Sequence, residues 1–192
     1  DGNLSSCFLL YSDDSIDSMY EKAHESAMIS KRAGGIGLFM NTWRGAGSYV
    51  KGTQGKSTGI IPALQMFESV GRHVNQGGKR KGSISPYCAI WHMDVFSYLD
   101  LRKNHGKEEM RARDLFTALI GNDLFFERCK SNSSWSLFCP NEVPYLNHCD
   151  SEEFRALYIE SENKGLAKEN LPARELLKAI FVATIETGTP YL

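Results

Sequence analysis

The sequence predicts an α/β fold, because segments typical of buried strands alternate with segments that have the periodicity of amphipathic helices. Three apolar, β-prone segments are the predicted strands, at residues 5–11, 35–43 and 83–92. Two segments with apolar residues at helical spacing separate them, at residues 15–32 and 60–75. A strand, a helix and a second strand in this order predict parallel neighbours joined by a crossover helix.

The first strand and the first helix have recognisable boundaries. The apolar run at residues 5–11 is closed by the polar segment 12–14, as expected where a buried strand leaves its sheet. Asp14 or Ser15 is the predicted N-cap of the helix, since both side chains accept hydrogen bonds from backbone amides. The helix should end by the glycine pair at 34–35, through which the chain enters the second strand.

Two glycine-rich loops are the predicted functional segments. Residues 44–59 are too long and too rich in glycine for a plain connector. The helix over 60–75 follows, with Pro62 tolerated in its first turn. Residues 76–82, with the sequence Gln-Gly-Gly-Lys-Arg-Lys-Gly, then form a basic loop. This loop alone is compatible with a solvated turn and with a phosphate cradle.

The remainder of the chain is predicted to be mainly helical, without a repeat or a domain boundary. Its predicted elements are a short helix at 95–101, a helix at 114–130, a strand at 135–139 stopped by Pro140, a loop at 144–146, an acidic surface helix at 152–164 and a mostly buried helix at 174–186. We therefore assign residues 1–192 to one partial domain.

Composition excludes several functional classes. Hydrophobic residues make up 42% and charged residues 23%, and the net charge of −1 does not favour general nucleic-acid binding. The absence of a long apolar run argues against a membrane span, and the first residues lack the charged and apolar regions of a signal peptide. These two features predict a cytoplasmic protein. The five cysteines form no CxxC pair and the five histidines are scattered, so no metal site is expected. Because the chain begins without methionine, we expect a piece of a longer protein.

Local motifs leave the chemistry open. Gly55-Lys56-Ser57 lies between a strand and a helix, but the glycine that a P-loop needs five residues earlier is replaced by Val50. A P-loop-like NTPase stays an alternative, as does a nucleotide-binding regulatory module that does not catalyse. Cys7 lies in an apolar strand, where a buried structural thiol is more common than a redox thiol.

Seven motifs in a fixed order extend over essentially the whole chain. They are Leu-Ser-Ser-Cys-Phe-Leu-Leu from Leu4, Lys-Arg-Ala-Gly-Gly-Ile-Gly from Lys31, Arg-Gly-Ala-Gly-Ser-Tyr from Arg44, Gln-Gly-Gly-Lys-Arg-Lys-Gly from Gln76, Ala-Arg-Asp-Leu-Phe from Ala112, Trp-Ser-Leu-Phe-Cys-Pro-Asn-Glu from Trp135 and Glu-Thr-Gly-Thr-Pro-Tyr from Glu186. Together they closely resemble the large, catalytic subunit of class I ribonucleotide reductase.

This resemblance implies the first part of a ten-stranded α/β barrel and a redox-active thiol at Cys7. It implies contact with the substrate nucleotide at Ser6 and at the backbone of Gly34 and Gly35. In the basic loop it implies that Gln76 and Arg80 address the substrate base.

The resemblance also implies an effector site that sets substrate specificity and binds nucleoside triphosphates (dATP or ATP, dTTP, dGTP). The effector ribose and base are expected at residues 14–16, which are Asp14, Ser15 and Ile16. The phosphates are expected at Lys31 and Arg44, and residues 51–52, Lys51 and Gly52, belong to a first specificity loop.

The partners and cofactors implied by the resemblance lie outside this chain. The substrate is expected to be a ribonucleoside diphosphate, the radical to come from a metal-containing small subunit, and the reductant to be thioredoxin or glutaredoxin. Helices 15–32 and 60–75 are expected to form a homodimer interface. The radical-bearing cysteine and the second redox cysteine of the family lie beyond Leu192. We therefore expect this chain to be inactive alone and to need the rest of the barrel, which a second chain would supply if the subunit is split.

Overall fold

A computed structural model describes residues 5–52, 54–74 and 82–192. The strands are β1 (Cys7–Tyr11), β2 (Gly35–Phe39), β3 (Tyr49–Val50), β4 (Gly55–Lys56), β5 (Ser83–Ala89), β6 (Ala118–Ile120), β7 (Ser134–Leu137) and β8 (Glu169–Pro172). The α-helices are α1 (Ile16–Ser30), α2 (Ile61–His73), α3 (Val95–Leu99), α4 (Asp123–Ser131), α5 (Ser151–Asn163) and α6 (Ala173–Thr187). Short 3₁₀ helices occur at Glu108–Met110 and Pro144–Asn147.

A four-stranded parallel sheet in the order β1-β2-β5-β6 forms the first half of the structure. Helix α1 connects β1 to β2, and helix α2 lies between β2 and β5, so the predicted alternation and the α/β class are confirmed. Within the described residues the sheet is open, with β1 at one edge. At the other edge, Tyr191 pairs in parallel with Ala118 of β6.

In the described part of the chain, helices cover one face of this sheet and leave the other face uncovered. Ile36, Leu38 and Ile84 point to the helices and are buried in the core with Leu64 and Phe67 of α2. Because successive residues of a strand point to opposite faces, the alternate residues of β1 and β2 lie on the uncovered face. The uncovered face is therefore available for a functional group.

The second half is built around an aromatic cluster between α4, β7 and α5. Trp135 stacks on Tyr158 with ring centroids 4.4 Å apart. The Tyr158 hydroxyl accepts a hydrogen bond from the Ser136 amide at 2.7 Å and donates one to the Ser136 carbonyl at 2.8 Å. Arg128 lies over both rings and forms two hydrogen bonds to Glu162, at 2.7 and 2.6 Å. These contacts fix α5 against β7.

Several predicted elements in the second half were wrong. The predicted helix over 114–130 contains strand β6 and begins only at Asp123, because residues 118–120 complete the parallel sheet beside β5. Strand β8 was not predicted. Helix α6 is not mostly buried: Phe181 is 56% and Ile185 84% exposed, since only one side of the helix packs on α3 and α4.

Candidate functional site

Strand register places Cys7 at the start of the uncovered sheet face. Cys7 is opposite Gly35 of β2, and Gly35 is opposite Ser83 of β5. The thiol is free and exposed. The expectation of a buried structural thiol was therefore wrong, because the strand pairs so that Phe8 and Leu10, not Cys7, pack towards the helices.

The two glycines expected beneath the substrate differ in what surrounds them. A Cβ at Gly34 would come within 2.5 Å of Ile29 and 2.9 Å of Phe8, so packing against the helix layer excludes a side chain there. A Cβ at Gly35 would meet only the Ser6 carbonyl, at 3.7 Å. Gly35 therefore leaves an open space next to Cys7, on the same face of the sheet.

Ser6 lies at the edge of this space. Its carbonyl accepts a hydrogen bond from the Gly35 amide at 2.8 Å, and its Oγ is 3.8 Å from the Cys7 Sγ. Gln76 and Arg80 lie outside the described residues. The described chain resumes at Gly82, immediately before Ser83, so the basic loop leads directly to the strand position beside Gly35.

A cleft of about 460 Å³ lies at the opposite, carboxyl end of β1, at the start of α1. Its walls come from the start of α1, the segment after β2, the small hairpin β3–β4 and the start of α2. The lining residues are Asp14, Ser15, Ile16, Met19, Trp43, Arg44, Val50, Lys56, Ser57, Thr58, Gly59, Ile60, Pro62 and Ala63. All three residues predicted to hold the effector ribose and base, Asp14, Ser15 and Ile16, thus border the same cleft as Arg44.

Local contacts explain how the chain shapes this cleft at α1. Ser15 is the N-cap of α1, and its Oγ accepts from the Ser18 amide at 3.1 Å. Arg44 forms an ion pair with Asp14 through Nε, and its Nη1 donates to the Tyr49 carbonyl at 2.9 Å. Neither contact uses Nη2. The guanidinium is therefore held at the cleft with donor capacity for an anionic ligand.

The remaining predicted effector residues do not line the cleft. Lys51 and Gly52 lie at the exposed tip of the hairpin, next to Val50, which does line it. Lys31 caps the opposite end of α1. A helix of 15 residues is about 22 Å long. The described chain therefore does not bring Lys31 and Arg44 together.

Lys56 and Ser57 line the cleft, although the sequence indicated them only as a defective P-loop. The backbone of Gly55 and Lys56 pairs with Val50 and Tyr49 in an antiparallel hairpin instead of wrapping around a phosphate. The amide of Ile60, at the start of α2, already donates to the Asp94 carboxylate at 3.2 Å. This geometry does not support the P-loop alternative.

A buried polar network behind the cleft was missed in the sequence. The His92 Nδ1 accepts from the Asp94 amide at 2.9 Å, so its Nε2 carries the proton and donates to the Trp43 carbonyl at 2.8 Å. The Trp43 indole N–H donates to the Ser12 Oγ at 3.2 Å. Burial lowers the pKa of His92, and the Trp43 carbonyl offsets only part of that effect. The only sequence signal was a polar pair, His92 and Asp94, just after an apolar strand.

Two further observations concern other site classes. Among residues 5–52, 54–74 and 82–192, no group of three or more His, Cys, Asp or Glu side chains is placed to hold a metal ion. In the same part of the chain, every helix is too short or too polar to cross a bilayer.

Comparisons with known proteins agree on one family. The family described as "Ribonucleotide reductase, barrel domain" matches residues 5–192. Similar proteins include ribonucleoside-diphosphate reductase large subunits from Arabidopsis thaliana (53% identical over 191 residues), Plasmodium falciparum isolate Dd2 (50% over 191) and Dictyostelium discoideum (50% over 192). Each match covers 98% of this chain but only 23%, 24% and 22% of the relative. The chain thus spans about a quarter of the length of these relatives.

The buried His92 should make stability depend on pH. Its folded pKa is lowered, so the unfolded state binds more protons as the pH falls below about 6.5. Between about pH 7 and pH 5 the free energy of unfolding should fall by up to about 1.4 kcal/mol per pH unit from this group. Urea denaturation across this range should show a shallower pH slope in His92→Gln, whereas the exposed control His73→Gln should keep the original slope. Equal slopes in wild type and His92→Gln would contradict this prediction.

Proposed function

The chain belongs to the family of ribonucleotide reductase barrel domains, and we propose that it is the part of a ribonucleoside-diphosphate reductase large subunit that carries one redox thiol and an effector site. The relatives named as such large subunits support the activity. The position of Cys7, exposed beside the open space at Gly35, is the observation that carries the proposal. The complete activity would belong to the longer protein.

The proposed reaction uses Cys7 as one member of a thiol pair. The C2′–O bond of the ribonucleotide breaks, the oxygen leaves as water, and C2′ gains a hydrogen. Two thiols supply the two electrons and become a disulfide, and thioredoxin or glutaredoxin would reduce it again. A radical that starts the reaction would come from a metal-containing small subunit. The second thiol and the radical-bearing cysteine would come from the rest of the barrel.

The open face around Gly35 suits a ribose. With no side chain at Gly35, the sugar can approach the backbone and lie within reach of the Cys7 Sγ and the Ser6 Oγ. The basic loop leads into Ser83, which is next to Gly35 in the sheet. Gln76 and Arg80 would then address the base of a ribonucleoside diphosphate.

The cleft at the start of α1 suits a nucleoside triphosphate such as dATP, ATP, dTTP or dGTP. Ile16 and Met19 offer apolar contact for a base, and Asp14 and Ser15 offer oxygens to the ribose. Arg44 would bind the phosphates, since charge-assisted hydrogen bonds to phosphate are strong. Lys51 and Gly52, at the hairpin tip, would close over this ligand.

Helix α1 indicates how Lys31 would take part. Ile16, Tyr20, His24 and Met28 follow one another at a spacing of four residues and are all exposed, Ile16 to 74% and Tyr20 to 63%. This stripe runs from the cleft to Lys31 and would pack against the same stripe of a second copy. In an antiparallel pair, Lys31 of the partner subunit would reach the cleft. We therefore propose a homodimer with effector sites shared between subunits, in a cytoplasmic enzyme.

Cys7→Ser separates this function from a regulatory module that does not catalyse. In the complete large subunit with its small subunit and reductant, the variant should lose multiple turnover by more than about 10³-fold, because serine cannot form the disulfide. The matched control Cys149→Ser, at a half-buried thiol that donates to the Leu146 carbonyl, should retain turnover. Unchanged turnover in Cys7→Ser would favour the regulatory module.

The shared effector site predicts complementation between two inactive sites. Lys31→Ala and Arg44→Ala homodimers should each bind dTTP weakly. Coexpression of the two variants should restore native affinity at about a quarter of the sites, because half of the dimers are mixed and each mixed dimer has one intact site. Equilibrium binding of dTTP measures this fraction. If mixing restores no tight site, both residues serve one chain and the proposed dimer is wrong.

A further inference from the structure

We infer that Asp94 is the positioning residue of the triphosphate cleft, because its side chain ties together both ends of the loop segment that forms much of the cleft wall. The inference rests on the proposed effector site and deepens it. Asp94 lies between β5 and α3, outside the residues that line the cleft. It would act on the ligand only through the backbone that it holds.

One carboxylate fixes two backbone positions that are far apart in sequence. The Ala46 amide donates to Oδ1 and Oδ2 of Asp94, at 3.0 and 3.1 Å, and the Ile60 amide donates to Oδ2 at 3.2 Å. Between these two residues lies the segment 47–59, which contains the hairpin and the cleft-lining Ser57. Asp94 thus holds the two ends of this segment next to each other.

The close fit of the two loop ends supports this role. A Cβ at Gly59, which has φ of +82°, would lie 2.6 Å from the Asp94 Oδ2. A Cβ at Gly45 would overlap the Met93 side chain. Both ends of the segment therefore approach residues 93–94 as closely as glycine allows, and Gly45 directly follows the ligand-facing Arg44.

Asp94 is itself held rigidly. It is only 8% exposed, and its amide donates to the buried His92, whose other ring nitrogen bonds to the carbonyl of Trp43 on the cleft wall. A buried, hydrogen-bonded side chain of this kind holds the loop backbone at a fixed position relative to the sheet.

The negative charge of the Asp94 carboxylate also affects where an anion can bind in the cleft. Amides at the start of a helix favour negative charge, and Asp94 already supplies that charge to the amide of Ile60, the N-cap residue of α2. A triphosphate in the cleft is therefore directed away from the start of α2 and towards the guanidinium of Arg44. Loss of Asp94 should loosen the loop. It should also allow the triphosphate to bind at the start of α2 instead of at Arg44.

The test uses the full-length protein and dTTP as the probe. Asp94→Asn places an NH₂ group against a backbone N–H and should raise the Kd for dTTP about tenfold or more. The effect of dTTP on the choice of substrate base should return when the dTTP concentration is raised by the same factor. The control Asp100→Asn, at a half-exposed aspartate paired with Lys103, should bind dTTP like the wild type.

A second variant removes the same hydrogen bond from the other side. Residues 45–48 form a turn with a bond from the Ser48 amide to the Gly45 carbonyl at 3.3 Å and with Gly47 at φ +80°, as in a type II turn. Proline suits the second position of such a turn, so Ala46→Pro should keep the turn while removing the amide that Asp94 accepts. It should weaken dTTP binding as Asp94→Asn does.

The outcomes separate the two claims. If the wild type does not bind dTTP, or binds it without dependence on Arg44, the proposed effector site is wrong. If the wild type binds dTTP and either Asp94→Asn or Ala46→Pro binds it with unchanged Kd, the role of Asp94 is overturned. A loss of base selectivity that added dTTP does not restore also contradicts positioning, because it indicates general damage to the fold.

Discussion

The parallel pairing of β1 with β2 is the constraint on which the proposed chemistry depends. Its register sets Cys7 opposite Gly35 and Tyr11 opposite Phe39, and it sends Phe8 and Leu10 towards the helices. A shift of one residue would turn every side chain of β1 to the other face and bury the thiol. The same strand ends at Tyr11, shortly before Asp14, Ser15 and Ile16, which line the proposed triphosphate cleft. One strand of five residues therefore links the two proposed sites and fixes the distance between them.

The cleft depends on buried polar contacts as well as on apolar packing. Residues 44–52 and 54–60 contain little regular structure apart from a small hairpin, and such a segment keeps one conformation only if its backbone groups find partners. Asp94 and the neutral imidazole of His92 supply several of them from the end of β5. The sheet thereby holds a loop rich in glycine in one shape beside the proposed nucleotide site. The exposed face of α1 is where the proposed second subunit would pack.

Much of the first half could be predicted from sequence, because β1, β2 and β5 are apolar runs and α1 and α2 have helical periodicity. Strand β6 could not, since three residues give too few alternations and Leu115, Leu119 and Leu124 resemble a helical stripe. Cys7 was indicated as a redox thiol by family resemblance alone, because exposure is decided by strand register. Asp94 was missed for a similar reason: its partners Ala46 and Ile60 lie 48 and 34 positions away in the chain, and no local pattern records such contacts.

The most direct test of the account is a crystal structure of the full-length protein with a ribonucleoside diphosphate and dTTP bound together. The account predicts that the ribose of the diphosphate lies over Gly35 in contact with the Cys7 Sγ. It predicts that dTTP lies between the start of α1 and the β3–β4 hairpin, with its phosphates on Arg44. A diphosphate bound away from the uncovered face of β1 and β2, or dTTP bound outside this cleft, would contradict it.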